Sequence, residues 1–414
     1  MADTNTKINK LAVLDWFTQI NFAMPMMLEL GGKYCTYYCN HETIREFPKE
    51  IKKMSSTNIE IIVDNHTLAL CHSCMLSDIW HSWRAADHRP FFEVALETMK
   101  MVYYTHGTDA VFSPPKGAYM LYSSDWQFYR GMGKSRYMLD ERDMPVWAAK
   151  AKGGEGAIAG LIHLGDWAHR KDSKAECRRQ LAQQLGISFD PALPLFVYYT
   201  SLDNDHKEMD IGLAKLSEHA NILIKDRVGL PSYAEGKNIF KFTDTYWGAW
   251  LPRFSADCIL AGYSSGSLST AVMLGFPVIP VYTQLIDALH QGGSDNMHDR
   301  QLDVHTQRFK SFTEGIKGIY SEIMKYITPI SISATEMILD RIHDADYWKR
   351  YEAHITSIQH SIFGRHYTEE APARAAAYVQ NILQRGTMLS ADIAALNKPF
   401  EGLPVIQHSC SAVL

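Results

Sequence analysis

Apolar residues in this chain fall mostly into short runs bounded by Gly, Pro, Asn or Asp, with amphipathic stretches of helical spacing between them. In the first half, 58–63, 100–105, 118–122 and 157–163 read as strands and 91–99 as a helix. A helix over 173–185 runs through Gly186 into a Pro-containing connection, 190–194, which reads as a domain boundary. The second half repeats the pattern more regularly, with strands expected at 195–199, 221–225, 238–242, 257–260 and 277–282 and helices between them. Amphipathic helices at 334–342 and roughly 344–385 close the chain. Strand-helix alternation means parallel sheets covered on both faces, with ligands bound outside the carboxyl ends of the strands near a topological switch point. The expected class is α/β: two Rossmann-like domains, 1–188 and 189–345, facing across a cleft, with helices and a tail, 346–414, packing back on the first.

With 414 residues, 46% of them apolar and 21% charged, the chain can bury two ordinary globular cores. A net charge of −5 argues against bulk nucleic-acid binding. No residue from 258 to 286 is charged, but Gly-rich turns and prolines break the span into strand-sized pieces, so it reads as a buried β-α-β unit rather than a membrane helix. The start of the chain lacks the pattern of a secretion signal, and the expected location is the cytoplasm, with contact at the inner face of the membrane left open. Cys35, Cys39, Cys71 and Cys74, with His41, His66 and His72 nearby, have metal-ligand chemistry. The loose first spacing and the apolar, Tyr-rich context favour buried free thiols, and no metal or other cofactor is expected.

The most informative stretch is 261–280, where an apolar strand enters the turn Gly262-Tyr263-Ser264-Ser265-Gly266-Ser267, a helix follows, and a strand restarts after Gly275-Phe276-Pro277. Hydroxyls and unpaired N–H groups at a helix N-terminus favour an anion, here a phosphate. Lys225 and Arg227 follow directly on an apolar strand, where two cations can neutralise a diphosphate. His106 ends another strand, in Thr105-His106-Gly107-Thr108, where an imidazole can deprotonate a hydroxyl near neutral pH. Two basic clusters, Arg130/Lys134/Arg136 and Arg170/Lys171/Lys174/Arg178/Arg179, could face an anionic acceptor or lipid headgroups, and the second also reads as a solvated helix face. The loop 291–298, with His298, has the composition of a lid.

As an ordered set over roughly 100–385, these residues resemble the GT-B transferases, and within them the CDP-glycerol glycerophosphotransferase-like group of teichoic acid and capsule synthesis. His106-Gly107-Thr108 is similar to that family's His-Gly-Thr, Ile224-Lys225-Asp226-Arg227 to Ile-Lys-Pro-His, and Gly262-Tyr263-Ser264-Ser265 to Asp-Tyr-Ser-Ser. The chain departs from the family in lacking the second His, where Arg227 stands close by, and in carrying Gly262 in place of the Asp. The resemblance implies a base at His106 and phosphate contacts from Lys225, Ser264 and Ser265, and metal-independent transfer is expected because no Asp-x-Asp pair stands in a metal-binding context. It also implies a nucleotide-activated donor and a polysaccharide or lipid-linked acceptor, with Gly107, Thr108, Arg170 and His298 on the acceptor or lid side. Two rivals stay open: an enzyme resembling the UDP-N-acetylglucosamine 2-epimerases, and a non-catalytic nucleotide-binding member of a capsule-assembly complex.

Overall fold

The computed structural model describes residues 7–15, 19–78, 89–104, 113–124, 127–128, 131–132, 148–150, 153–169, 171–200, 206–226, 232–243, 250–262, 265–283, 323–324, 326–359 and 370–388. The chain divides into two compact units, residues 1–170 with 363–403, and 171–362 with 404–414.

The first unit carries β1 (Ile8–Leu14), β2 (Cys35–Cys39), β3 (Glu60–Val63), β4 (His72–Asp78), β5 (Lys100–Tyr104), β6 (Tyr119–Tyr122), β7 (Ala148–Lys150) and β8 (Glu155–Ile158). They form one sheet in the order β3-β2-β1-β4-β5-β6-β8-β7. Every neighbouring pair is parallel except the edge strand β7, which runs antiparallel to β8. The second unit carries β9 (Leu195–Tyr199), β10 (Asn221–Asp226), β11 (Ile239–Thr243), β12 (Cys258–Gly262), β13 (Val278–Tyr282) and β14 (Ile330–Ser331). Its order is β11-β10-β9-β12-β13-β14, parallel throughout. Both sheets therefore start in the middle, wind outward one way and then return to wind the other. The switch points lie between β1 and β4 and between β9 and β12.

Strands buried on both faces explain why the second half was readable. β9 and β12 are apolar or Gly at every position and buried throughout, as helices on both sides of a parallel sheet require. The helix Lys174–Leu185 has both of the signals its sequence carries. Ser173 accepts a bond from the Glu176 N–H at 3.2 Å, and Gly186 closes the helix at φ 65°, where a β-carbon would be strained.

The opening of the chain holds elements not anticipated from its pattern: β1, the helix Gln19–Tyr34, β2 and β4. That helix contains Pro25 and ends in Gly31-Gly32. Gly31 sits at φ 60°, and the Gly32 N–H donates to the Thr57 carbonyl at 3.0 Å. A β-carbon on Gly32 would lie 1.7 Å from the Asn58 carbonyl oxygen, so only glycine lets the helix end meet that loop.

The closing segment is two helices where one was expected. Ala345–Ile358 packs within the second unit, with Tyr351 Oη donating to the Phe276 carbonyl at 2.6 Å and Gln359 Nε2 to that of Met273 at 3.0 Å. Ala371–Arg385 packs within the first, where Arg374 Nη1 donates to the Ala159 carbonyl at 2.9 Å. Just beyond it, the Met388 N–H and Thr387 Oγ1 donate to Glu155 Oε2 at 2.7 and 2.8 Å.

The second basic cluster is not a simple solvated face. Lys174 Nζ and Arg178 Nη2 both clamp Asp257, at 2.7 and 2.6 Å, with all three side chains mostly buried. Arg179 makes an exposed pair, with Glu176 at 2.6 Å. Asp257 Oδ2 also accepts the Leu195 N–H at 2.8 Å. One carboxylate thus pins the helix Lys174–Leu185 to the amino ends of β9 and β12. Burial alone would raise the Asp257 pKa, but the two cations and the N–H outweigh it and hold the carboxyl below its usual value.

A depressed acid pKa contributes stability above the unfolded-state value and loses it as pH falls through the lower, folded value. Asp257→Ala should therefore cost about 3–5 kcal/mol at pH 7, by stranding two buried cations. In urea melts the gap between the variant and the parent should narrow as the pH is lowered below about 4. A gap that is absent at pH 7, or constant with pH, would remove Asp257 as the clamp.

Candidate functional site

At the second switch point, register sets the geometry. Tyr199 pairs with Lys225 on one side and with Ala261 on the other, so Lys225, Tyr199 and Ala261 stand in one row at the carboxyl edge and share a face. Lys225 and Ala261 are two strand spacings apart, about 10 Å. Four residues past Ala261, Ser265 caps the helix Gly266–Met273. The Ser265 side chain accepts from the Ser267 N–H at 3.2 Å, and the Ser265 N–H donates to the Gly262 carbonyl at 3.0 Å. Ser265, Gly266 and Ser267 are half-buried, whereas Leu268 through Met273 are buried. The turn therefore ends a buried helix with its polar end toward solvent. Of the expected donor-side residues, Lys225, Ser265, Gly266 and Ser267 come to one edge. Arg227, Tyr263 and Ser264 lie outside the described residues, as do His106, Gly107, Thr108, Arg170, His298 and the cluster Arg130/Lys134/Arg136.

The first sheet has a polar edge that sequence reading missed. Asp15 follows β1 directly, and its N–H donates to the Tyr38 carbonyl at 2.8 Å. Val13 pairs with Leu76 and Asp78 with Tyr104, so extending the registers places Asp15, Asp78 and Tyr104 in one row at the carboxyl edge, on one face. Tyr37, in register with Val13, stands one layer behind. Asn40 caps the short helix His41–Glu46 by accepting the Thr43 N–H at 2.8 Å, which aims the Thr43 hydroxyl at Asp15 Oδ2.

Asp15 Oδ1 and the hydroxyls of Tyr37 and Tyr104 are sealed from solvent without a hydrogen-bond partner among the described residues. The Tyr37 hydroxyl is near enough to favour the Asp15 anion but lacks full hydrogen-bond geometry. Burial raises the Asp15 pKa, against the opposing pull of Thr43, Tyr37, the Ile20 N–H and His66. Burial, and then the neighbouring carboxylates Asp15 and Asp78, push both phenols well above their ordinary values, so they remain proton donors at neutral pH. Three polar groups buried at a switch point without partners among the described residues have the chemistry to meet a hydroxyl rather than an anion. No spacing rule reveals them, because their meaning lies in missing partners.

The cysteines do not assemble a metal site. Cys35 and Cys74 both pair with Leu11, from opposite sides, which sets them about 10 Å apart across the sheet. Burial pushes the thiols of Cys35, Cys39 and Cys74 up to about 12, so they stay protonated. Among the described residues no group of His, Cys, Asp or Glu could hold a metal ion, and no helix is long and apolar enough to cross a membrane. A cavity of ≈ 820 Å³ in the second unit is lined by Asp190, Lys215, Glu218 and Lys237 among others. It borders the amino ends of β10 and β11, the wrong edge for a switch-point ligand.

Similarity to known proteins is confined to three-dimensional structure. No protein-family model and no curated protein matches the sequence. Among solved structures, the wall teichoic acid polymerase TagF, soaked with CDPG, aligns over 92% of this chain and 91% of its own, at 11% identity and a TM-score of 0.56. The chain has the GT-B fold. The UDP-GlcNAc 2-epimerase of Neisseria meningitidis, bound to UDP-GlcNAc, aligns over 91% of this chain and 100% of its own at 12% identity and a TM-score of 0.46. The glycosyltransferase SnogD of Streptomyces nogalater covers the same shares at 12% identity and 0.42.

If the polar edge of the first unit is kept for a ligand, removing its groups should not harm the fold. A raised acid pKa means that ionised Asp15 costs stability as pH rises from its unfolded value through its folded one. Asp15→Asn and Tyr104→Phe should accordingly melt at or above the parent temperature at pH 7, and the Asp15→Asn gain should shrink toward pH 4. A drop of several degrees in both variants would make these groups structural.

Proposed function

We propose that the chain is a GT-B transferase that moves a glycosyl or glycerol-phosphate group from a nucleotide-activated donor to a hydroxyl of a polysaccharide or lipid-linked acceptor. The observation that carries this reading is the placement of Lys225 and the Ser265–Ser267 turn on the carboxyl edge of the second sheet, around the β9/β12 switch. There the first-turn N–H groups, the helix dipole and a cation all favour a diphosphate. TagF, of the same fold, was soaked with CDPG, which makes a cytidine-linked donor the first to test.

In this mechanism the donor's diphosphate sits against Ser264, Ser265, Gly266 and Ser267, with Tyr263 beside it, and Lys225 and Arg227 neutralise the charge that develops as the nucleotide leaves. The acceptor hydroxyl is deprotonated by His106, two residues beyond Tyr104 in sequence. Asp15, Tyr37 and Tyr104 supply hydrogen bonds that orient a polyhydroxylic acceptor. With the diphosphate neutralised by protein cations and N–H groups, the transfer proceeds without a metal ion. The reading goes with a cytoplasmic location, and a lipid-linked acceptor would be met at the inner face of the membrane.

A thermal-shift screen of CDP-, CMP-, UDP- and GDP-linked donors identifies the nucleotide, because a ligand that binds only the folded chain must raise its melting temperature. With that donor, His106→Ala should lower turnover about 10²–10⁴-fold and leave donor affinity nearly unchanged. Equal loss of both, or full turnover, would count against the base. Nucleotide release that needs no acceptor would favour an epimerase, and binding with no turnover a non-catalytic member.

A further inference from the structure

The helix Trp250–Ser255 holds a buried cation that has no acidic partner among the described residues. Arg253 is 5% exposed, and its guanidinium lies over the Tyr199 ring at 4.8 Å and the Trp250 ring at 4.7 Å. Its Nε–H is sealed from solvent without an acceptor, and among the described residues Arg253 has neither an ion pair nor a hydrogen bond. The other buried cations of this region differ. Arg178 and Lys174 share Asp257. Arg374, comparably buried in the first unit, shares an unpartnered Nε but donates through Nη1 to a carbonyl and pairs with Glu370 at 3.8 Å. Two ring faces return only part of the hydration that a guanidinium gives up, and none of the directional bonds its fork can make.

Its position says what would complete it. Just past the helix, the Asp257 N–H donates to the Leu195 carbonyl and its Oδ2 accepts the Leu195 N–H, at the amino end of β9. The helix therefore runs antiparallel to the strands, and its side chains lean back toward its N-terminus and the carboxyl edge. Arg253 thus reaches Tyr199, the last residue of β9, in the row that also holds Lys225 and Ala261.

The geometry points to Arg253 as a phosphate-binding residue, held by Tyr199 and Trp250 so that its N–H groups donate to two oxygens of a phosphoryl ligand at the β9/β12 switch. The assignment deepens the proposed donor site and rests on that reading. It separates Arg253 from Lys225: a planar fork takes a phosphate bidentately, where an ammonium acts as a point charge. A free inorganic anion and the diphosphate of a donor share this chemistry, and the test distinguishes them.

Calorimetric titration of the full chain with inorganic pyrophosphate, inorganic phosphate and the donor found by thermal shift compares the parent with Arg253→Met and Arg253→Lys. Arg253→Met replaces an uncompensated charge with an apolar chain of similar length, so without anion it should melt at or above the parent temperature. Its affinity for pyrophosphate and for the donor should fall about 10- to 100-fold, with Arg253→Lys between the two. If phosphate alone shows that loss and the donor does not, the site serves a free anion. Parent-like affinity in Arg253→Met for all three ligands overturns the assignment. If Arg253→Met does not fold, parent-like affinity in Arg253→Lys overturns it and a loss there supports it. Donor binding that survives Arg253→Met leaves the transferase reading intact without Arg253. A parent chain that binds neither pyrophosphate nor any donor removes both.

Discussion

A parallel sheet that starts in its middle cannot cover its own carboxyl edge at the point where the winding reverses. The crossover leaving β9 heads one way and the strand beside it, β12, belongs to the other direction, so the backbone ends and side chains between them stay open. Everything assigned to the second unit follows from that constraint. In-register pairing puts Lys225, Tyr199 and Ala261 in one row. The buried helix after β12 starts at the same edge with its capping serine outward, and the antiparallel helix behind β9 delivers Arg253 to it. The opposite edge is tied shut by Asp257, which uses its carboxylate on two cations and a strand N–H.

The two edges are chemically unlike, and each suits a different ligand in the proposed reading. The second sheet offers a cation, a helix N-terminus and hydroxyls, which suit an anionic donor. The first offers a shielded carboxyl group and two phenols that stay protonated. A phosphate there would meet Asp15 and Asp78, whereas a neutral hydroxyl can both donate to Asp15 Oδ1 and accept from a phenol.

How much of this the sequence shows depends on whether a signal is local. The strands 195–199 and 277–282 were legible to within a residue because fully buried parallel strands leave unbroken apolar runs. The helix before Gly186 was legible because Ser173, Glu176 and that glycine are local signals. β1 was hidden by Asn9 and Lys10 inside it, although Lys10 Nζ escapes to the Gly32 carbonyl at 2.6 Å. β2 and β4 were obscured because Cys35, Cys39 and Cys74 invite a reading by metal spacing, while their burial makes them strand interior. Asp15 and Arg253 carry no local signature at all. Each is conspicuous only because the fold buries one of its polar atoms, Asp15 Oδ1 or Arg253 Nε, and brings that atom no hydrogen-bond partner among the described residues, which is a statement about contacts in three dimensions.

The central claim is that a phosphorylated ligand binds at the carboxyl edge of the second sheet, around the switch between β9 and β12. A crystal structure of the chain with a bound nucleoside diphosphate tests it most directly. The account predicts diphosphate density against the Ser265–Ser267 turn and within reach of Lys225. Density in the groove at the amino ends of β10 and β11, beside Asp190 and Lys237, would contradict it.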